Sequence, residues 1–197
     1  MIKTTANAIR VFLHGALRDG NPSPIDVDNI SSALVIVDHA HHKLHDGYRF
    51  GYCDALTLGV ATQDYLLVVP NTTLWPHFTY SFDGTAITSC AIYEGTDKTG
   101  TTLQTSFNKN RNSPIVAGMA VYKGTSGGTT DGTMICNYAS GMATGNGSNF
   151  SVAGGGSFSG ERILKQNTKY IIRLTSGTAG NLCNMDMDWY EHTSDNP

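Results

Sequence analysis

Apolar and polar residues alternate with a period of two near the end of the chain. Cys183, Met185, Met187 and Trp189 fall on one side, and Asn184, Asp186, Asp188 and Tyr190 on the other. That is the pattern of a strand with one buried face. From Tyr48 onward, short apolar or alternating runs recur between clusters of Gly, Asn, Asp, Thr and Ser, which are turn formers. The pattern predicts strands over 49–58, 64–69, 77–82, 87–93, 115–122, 133–138, 150–158, 169–175 and 182–192. Nothing marks the helical crossovers that a parallel sheet requires. The expected fold is therefore all-β, an antiparallel β-sandwich with a jelly roll as its first form. Residues 95–112, 123–132 and 137–160 are rich in Gly, Thr, Asn and Ser and read as long, exposed, mobile connections.

Residues 1–46 have a different texture. Ile9, Phe12, Leu13, Ala16 and Leu17 recur at helical spacing, so 5–18 predicts a short amphipathic helix ended by Gly20 and a turn at Pro22 and Pro24. Such a helix is marginal alone and needs a surface to rest on. The run Ala33-Leu34-Val35-Ile36-Val37 is β-like. The division expected is an N-terminal arm, 1–46, that anchors the protein or joins subunits, and a sandwich domain, 47–197. Ile9, Phe12, Leu13, Leu17, Leu34 and Ile36 are its candidate contact residues.

Composition narrows the function. A formal net charge of −3 provides no broad positive field for a phosphate backbone, which argues against nucleic acid as a partner. No apolar run approaches the roughly 20 residues needed for a helical membrane span, and no secretory signal is evident at the N-terminus. Synthesis and residence in a cytosol-like compartment are expected, with no membrane partner. Cys53, Cys90, Cys136 and Cys183 lack zinc-ligand spacing and read as free, mostly buried thiols.

Candidate chemistry is sparse. His39, His41, His42 and His45 gather four of the seven histidines. On a helix His41 and His45 share a face, whereas an extended chain puts His39 and His41 on one side and His42 on the other. Without an HExxH pattern they are read as interface histidines, and no metal or cofactor is assigned. Gly124-Thr125-Ser126-Gly127-Gly128 matches the letters of a nucleophile elbow, but a further strand follows it instead of a helix, so it reads as a turn. Asp186 and Asp188 share a strand face roughly 7 Å apart, which a solvated outer surface explains. Lys109 and Arg111 read as solvated charges in a polar loop. Trp75 reads as buried or hinge-forming more readily than as a sugar platform. No catalytic residue is assigned, and the chain is expected not to be an enzyme.

The order of several motifs resembles a group of tailed-bacteriophage virion structural proteins of the capsid decoration, or cement, type. These are His41-His42-Lys43-Leu44-His45-Asp46-Gly47, Gln63-Asp64-Tyr65, Trp75-Pro76-His77, Thr85-Ala86-Ile87-Thr88-Ser89, Tyr93-Glu94-Gly95, the run from Phe107 to Ser113, Lys165 to Tyr170, and Trp189-Tyr190-Glu191-His192. The resemblance implies a non-enzymatic β-sandwich that binds the major capsid protein. It would assemble with copies of itself, trimers first, on the capsid surface of a virion after synthesis in the host cytoplasm. The alternative from the same source is a tail-associated fibre tip or receptor-binding domain that meets host-surface glycans. A polysaccharide hydrolase using Asp186 and Asp188 is the reading from another class.

Overall fold

The computed structural model describes the backbone of residues 15–16, 22–23, 39–140 and 156–193. Contacts divide the chain into two units, Met1–Asp38 and His39–Pro197. In the first unit, strands β1 (Gly15–Ala16) and β2 (Pro22–Ser23) pair antiparallel, Gly15 opposite Ser23. Gly15 and Ala16 are thus extended where the spacing over 5–18 predicts a helix, and Gly15 is a residue that weakens a helix. Ile9, Phe12, Leu13, Leu17, Leu34 and Ile36, with the β-like run around the last two, lie outside the described residues.

The second unit begins with helix α1 (His39–Asp46). Strands follow in chain order: β3 (Arg49–Leu58), β4 (Ala61–Val68), β5 (Leu74–Gly84), β6 (Thr88–Glu94), β7 (Thr99–Gln104), β8 (Phe107–Asn108) and β9 (Ala120–Ser126). The last four are β10 (Thr133–Ser140), β11 (Gly156–Ile163), β12 (Lys169–Ser176) and β13 (Asn181–Thr193). They form a six-stranded sheet, ordered β10-β6-β12-β4-β9-β7, and a five-stranded sheet, ordered β11-β5-β13-β3-β8. Every pairing is antiparallel. The all-β sandwich expected from the alternation is what the chain builds.

The core lies between the sheets. The inward face of β13 carries Cys183, Met185, Met187 and Trp189, all buried, against Phe50, Phe78, Tyr80 and Phe82 of its neighbours. Tyr65 and Leu67 of β4 and Tyr170, Ile172 and Leu174 of β12 answer from the other sheet. Of the cysteines, Cys90 and Cys183 are buried and Cys136 is half-buried, but Cys53 is exposed, because its place in β3 turns it outward. All four are free.

Strands β3 to β6 alternate between the sheets along the chain, β10 pairs with β6 within the six-stranded sheet, and β10 to β13 alternate again. Residues between β6 and β10 are an addition to that frame. Loops were expected over 95–112 and 123–132 with a strand over 115–122 between them; instead β9, starting at Ala120, and β7 extend the six-stranded sheet beyond β4, and β8 extends the five-stranded sheet beyond β3. Both additions fall on the same side of the sandwich, the side of the β3 and β4 pair.

Candidate functional site

The insertion forms a cavity of about 300 Å³ at that side, walled by residues 105–117 and floored by Phe50. Three anchors hold its wall. Glu191, the next inward position of β13 after Trp189, is only 2% exposed. Its carboxylate accepts the Gly118 N–H at 2.9–3.0 Å, the Met119 N–H at 2.9 Å and the Trp189 indole N–H at 3.0 Å. Those three N–H groups supply hydrogen bonds to the buried carboxyl oxygens, and no ion pair to Glu191 is present among the described residues. Gly118 leaves room for this approach, since an added Cβ would stand 2.9 Å from Glu191 Oε2 and press on it.

Asn108 is the second anchor. Its Nδ2 donates to Gly47 O at 2.7 Å and Ile115 O at 2.9 Å, and its Oδ1 accepts the Asn110 N–H at 2.9 Å. The third anchor is the end of α1. Gly47 has φ of +79°, Tyr48 N–H reaches Lys43 O at 2.9 Å and Gly47 N–H reaches Leu44 O at 3.2 Å, the Schellman arrangement. Asn110 Nδ2 donates to His45 O at 3.0 Å, so the insertion and the helix end brace each other. Ser113 packs so close to Gly47 that an added Cβ would lie 2.2 Å from its Oγ.

With these groups occupied, the cavity presents Phe107, Pro114 and Val116 as apolar surface, together with Thr105, Ser106 and Arg111. Val116 is 83% exposed at the mouth. Arg111 donates to Asn108 O at 3.3 Å and forms no ion pair among the described residues, leaving guanidinium donors for an anion. Lys109, expected to be solvated alongside it, is instead paired with Asp188.

Asp188 is clasped by Arg49, whose Nε and Nη2 donate at 3.0 and 2.8 Å, as well as by Lys109. Burial opposes its ionisation, yet the two cations outweigh it and hold the carboxyl below the usual range. It therefore ties the insertion to the outer face of β3 and β13. This corrects the solvated reading of Asp188, while Asp186 is exposed as expected. The two aspartates are accordingly in unlike environments.

Beyond Asp188 on the same face lies a group the sequence reasoning missed. His77 Nδ1 is 2.5 Å from Glu161 Oε1, and His77 Nε2 is 2.7 Å from His192 Nε2. The Tyr190 hydroxyl donates to Glu161 Oε1 at 2.9 Å, and its ring stacks on His77 at 4.6 Å. Carboxylate and two imidazoles thus form one hydrogen-bonded chain across the outer face. Its signal was present in the run Trp189 to His192, where Tyr190 and His192 take outward positions, but their partner His77 comes from β5.

The histidine run is helical, not extended. His41 and His45 do share an exposed face, with Nε2 atoms 3.0 Å apart, and His42 Nδ1 lies 3.0 Å from Asp46. The side chain of His39 lies outside the described residues. Ser126 ends β9 beside Thr99, the two hydroxyls 3.3 Å apart, and glycines 127 and 128 both take positive φ, so the turn is what the GxSxG letters encode. Asp97 closes that turn by accepting the N–H groups of Thr129 and Thr130. Trp75 is half-buried in β5.

On the other sheet, Arg173 joins Asp64 at 2.7 Å and Asp131 at 2.7 Å and lies over the Tyr93 ring. Arg173, with Lys98, lowers the Asp131 carboxyl to about 2. These ties fasten the end of the insertion to β4 and β12. Comparison with protein-family models, characterised proteins and solved structures finds no match to this chain.

Proposed function

We propose that this chain is a non-enzymatic structural protein of a tailed-phage virion, a capsid decoration protein that oligomerises on the major capsid protein and stabilises the shell. The motif order supports the phage reading. The alternation of β3–β6 and β10–β13 between sheets supports jelly-roll connectivity. The observation that carries most weight is at the sheet borders. Four of the eight large apolar side chains left exposed among the described residues, Leu103, Met134, Ile135 and Ile163, sit on the outermost strands β7, β10 and β11. Outermost strands with apolar side chains in water favour pairing with another copy.

Trimers on a local three-fold suit this role, and binding only the assembled shell stabilises it by mass action. The test adds purified full-length protein to phage heads that lack it. Saturable attachment and a raised disruption temperature are expected, and heads that neither bind it nor gain stability contradict the proposal.

The insertion cavity favours a second reading, a tail-associated receptor-binding domain that takes a host-surface glycan. One apolar wall and one unpaired guanidinium suit an acidic sugar, with Phe107 against the ring and Arg111 on the carboxylate. Binding of acidic glycans that Arg111→Gln abolishes would favour this reading over decoration.

A further inference from the structure

We propose that His41 and His45 form a two-imidazole chelate for a divalent transition-metal ion of the copper or nickel kind. Residues four apart on α1 stand one above the other, and both rings are exposed. Their Nε2 atoms lie 3.0 Å apart, the rings meeting edge to face with centroids at 4.7 Å. Two imidazole nitrogens about 2.1 Å from one ion and at right angles to each other are about 3.0 Å apart. In a tetrahedral site the same two nitrogens stand about 3.4 Å apart. The spacing therefore matches neighbouring positions of a tetragonal ion, the geometry that nitrogen ligands give Cu²⁺ and Ni²⁺.

The pair is held ready. The Schellman turn at Gly47 fixes the end of α1, and Asn110 holds the His45 carbonyl at 3.0 Å. His42, turned to Asp46, takes no part. In the free pair one ring donates its Nε2–H to the other nitrogen. On loading, that hydrogen is exchanged through water to Nδ1, both Nε2 lone pairs go to the ion, and no net proton is released from the neutral pair. Protonation of either ring competes with the ion.

No third His, Cys, Asp or Glu joins the site among the described residues. The remaining coordination positions are therefore open to water or to donors from another molecule. The chelate does not depend on the decoration reading.

Calorimetric titration of the tag-free full chain with NiCl₂, in a buffer that does not bind metal, tests the proposal. A Cys53→Ser background removes the exposed thiol as a competitor. One ion per chain is expected. His41→Gln and His45→Gln each weaken binding on the order of 100-fold, the loss expected when an intramolecular second ligand is removed. His42→Gln leaves it unchanged. All three substitutions lie on an exposed helix, and circular dichroism checks the fold of each variant. Isotherms that coincide for the parent and His41→Gln overturn the proposal, as does an equal loss in His42→Gln.

Discussion

Removing the Glu191 carboxylate should destabilise the sandwich more than any single surface change, and the amount follows from its partners. Glu191→Ala strips the acceptor from two backbone N–H groups, those of Gly118 and Met119, and from the Trp189 indole. A buried donor left unsatisfied costs about 1–3 kcal/mol, and water entering the vacated space recovers part of that for three adjacent donors. The expected loss is about 3–5 kcal/mol, a large share of the stability of an ordinary domain. Glu191→Gln keeps one oxygen, which can still serve Met119 and Trp189, but turns an NH₂ group toward the Gly118 N–H. Its loss should be about 2 kcal/mol. Urea unfolding followed by tryptophan fluorescence gives both numbers, since Trp189 is itself a partner. Amide exchange at Gly118 and Met119 should quicken in step, because the cavity wall loses its anchor. A Glu191→Ala variant within about 1 kcal/mol of the parent would refute this account of how the wall is held.

Gly47→Ala should cost about 1–2 kcal/mol for the left-handed backbone alone, plus the collision with Ser113. In the double variant with Ser113→Gly only the steric part should return, as chemical denaturation would show. In acid, the carboxyls of Asp131, Asp188 and Glu94 are held below their ordinary range by Arg173 and Lys98, by Arg49 and Lys109 against burial, and by Lys165, respectively. The folded state then binds fewer protons than the unfolded chain. Their stabilisation is present above about pH 4 and lost as the pH falls through the folded-state values, about 2 for Asp131. A urea midpoint that stays flat between those limits contradicts this. Met134→Lys with Ile135→Lys, on the outermost strand β10, should shift full-length protein toward monomer in sedimentation velocity.

Where side chains alternate strongly, the sequence was readable. β13 and β3 could be drawn from Cys183 to Trp189 and from Arg49 to Leu58 because each buries one face in the core. β7 could not, since Thr99–Gln104 is an outermost strand, largely exposed, and has no apolar face to betray it. The helix α1 was one of two options for the histidine run, as HAHHKLHD has no apolar stripe; its real marker is Gly47 after Asp46. The strand expected over 115–122 starts only at Ala120, because the Ile115 carbonyl is taken by Asn108 and the Gly118 and Met119 N–H groups by Glu191. The candidate site was least legible. Lys109 and Asp188 are 79 residues apart, and Glu191 looks like any charged residue near a strand end until its inward position is known. Long-range pairing of charges carries no local periodicity, so composition and spacing could not announce it.

The proposed decoration role makes the chain a repeated component of a phage shell. Quantitative mass spectrometry of purified virions, against the major capsid protein, measures its copy number. Copies on the order set by an icosahedral lattice, hundreds per particle, are predicted. A few to a few tens would place the chain at the tail or a vertex and make the glycan reading primary, and none at all would contradict the virion role.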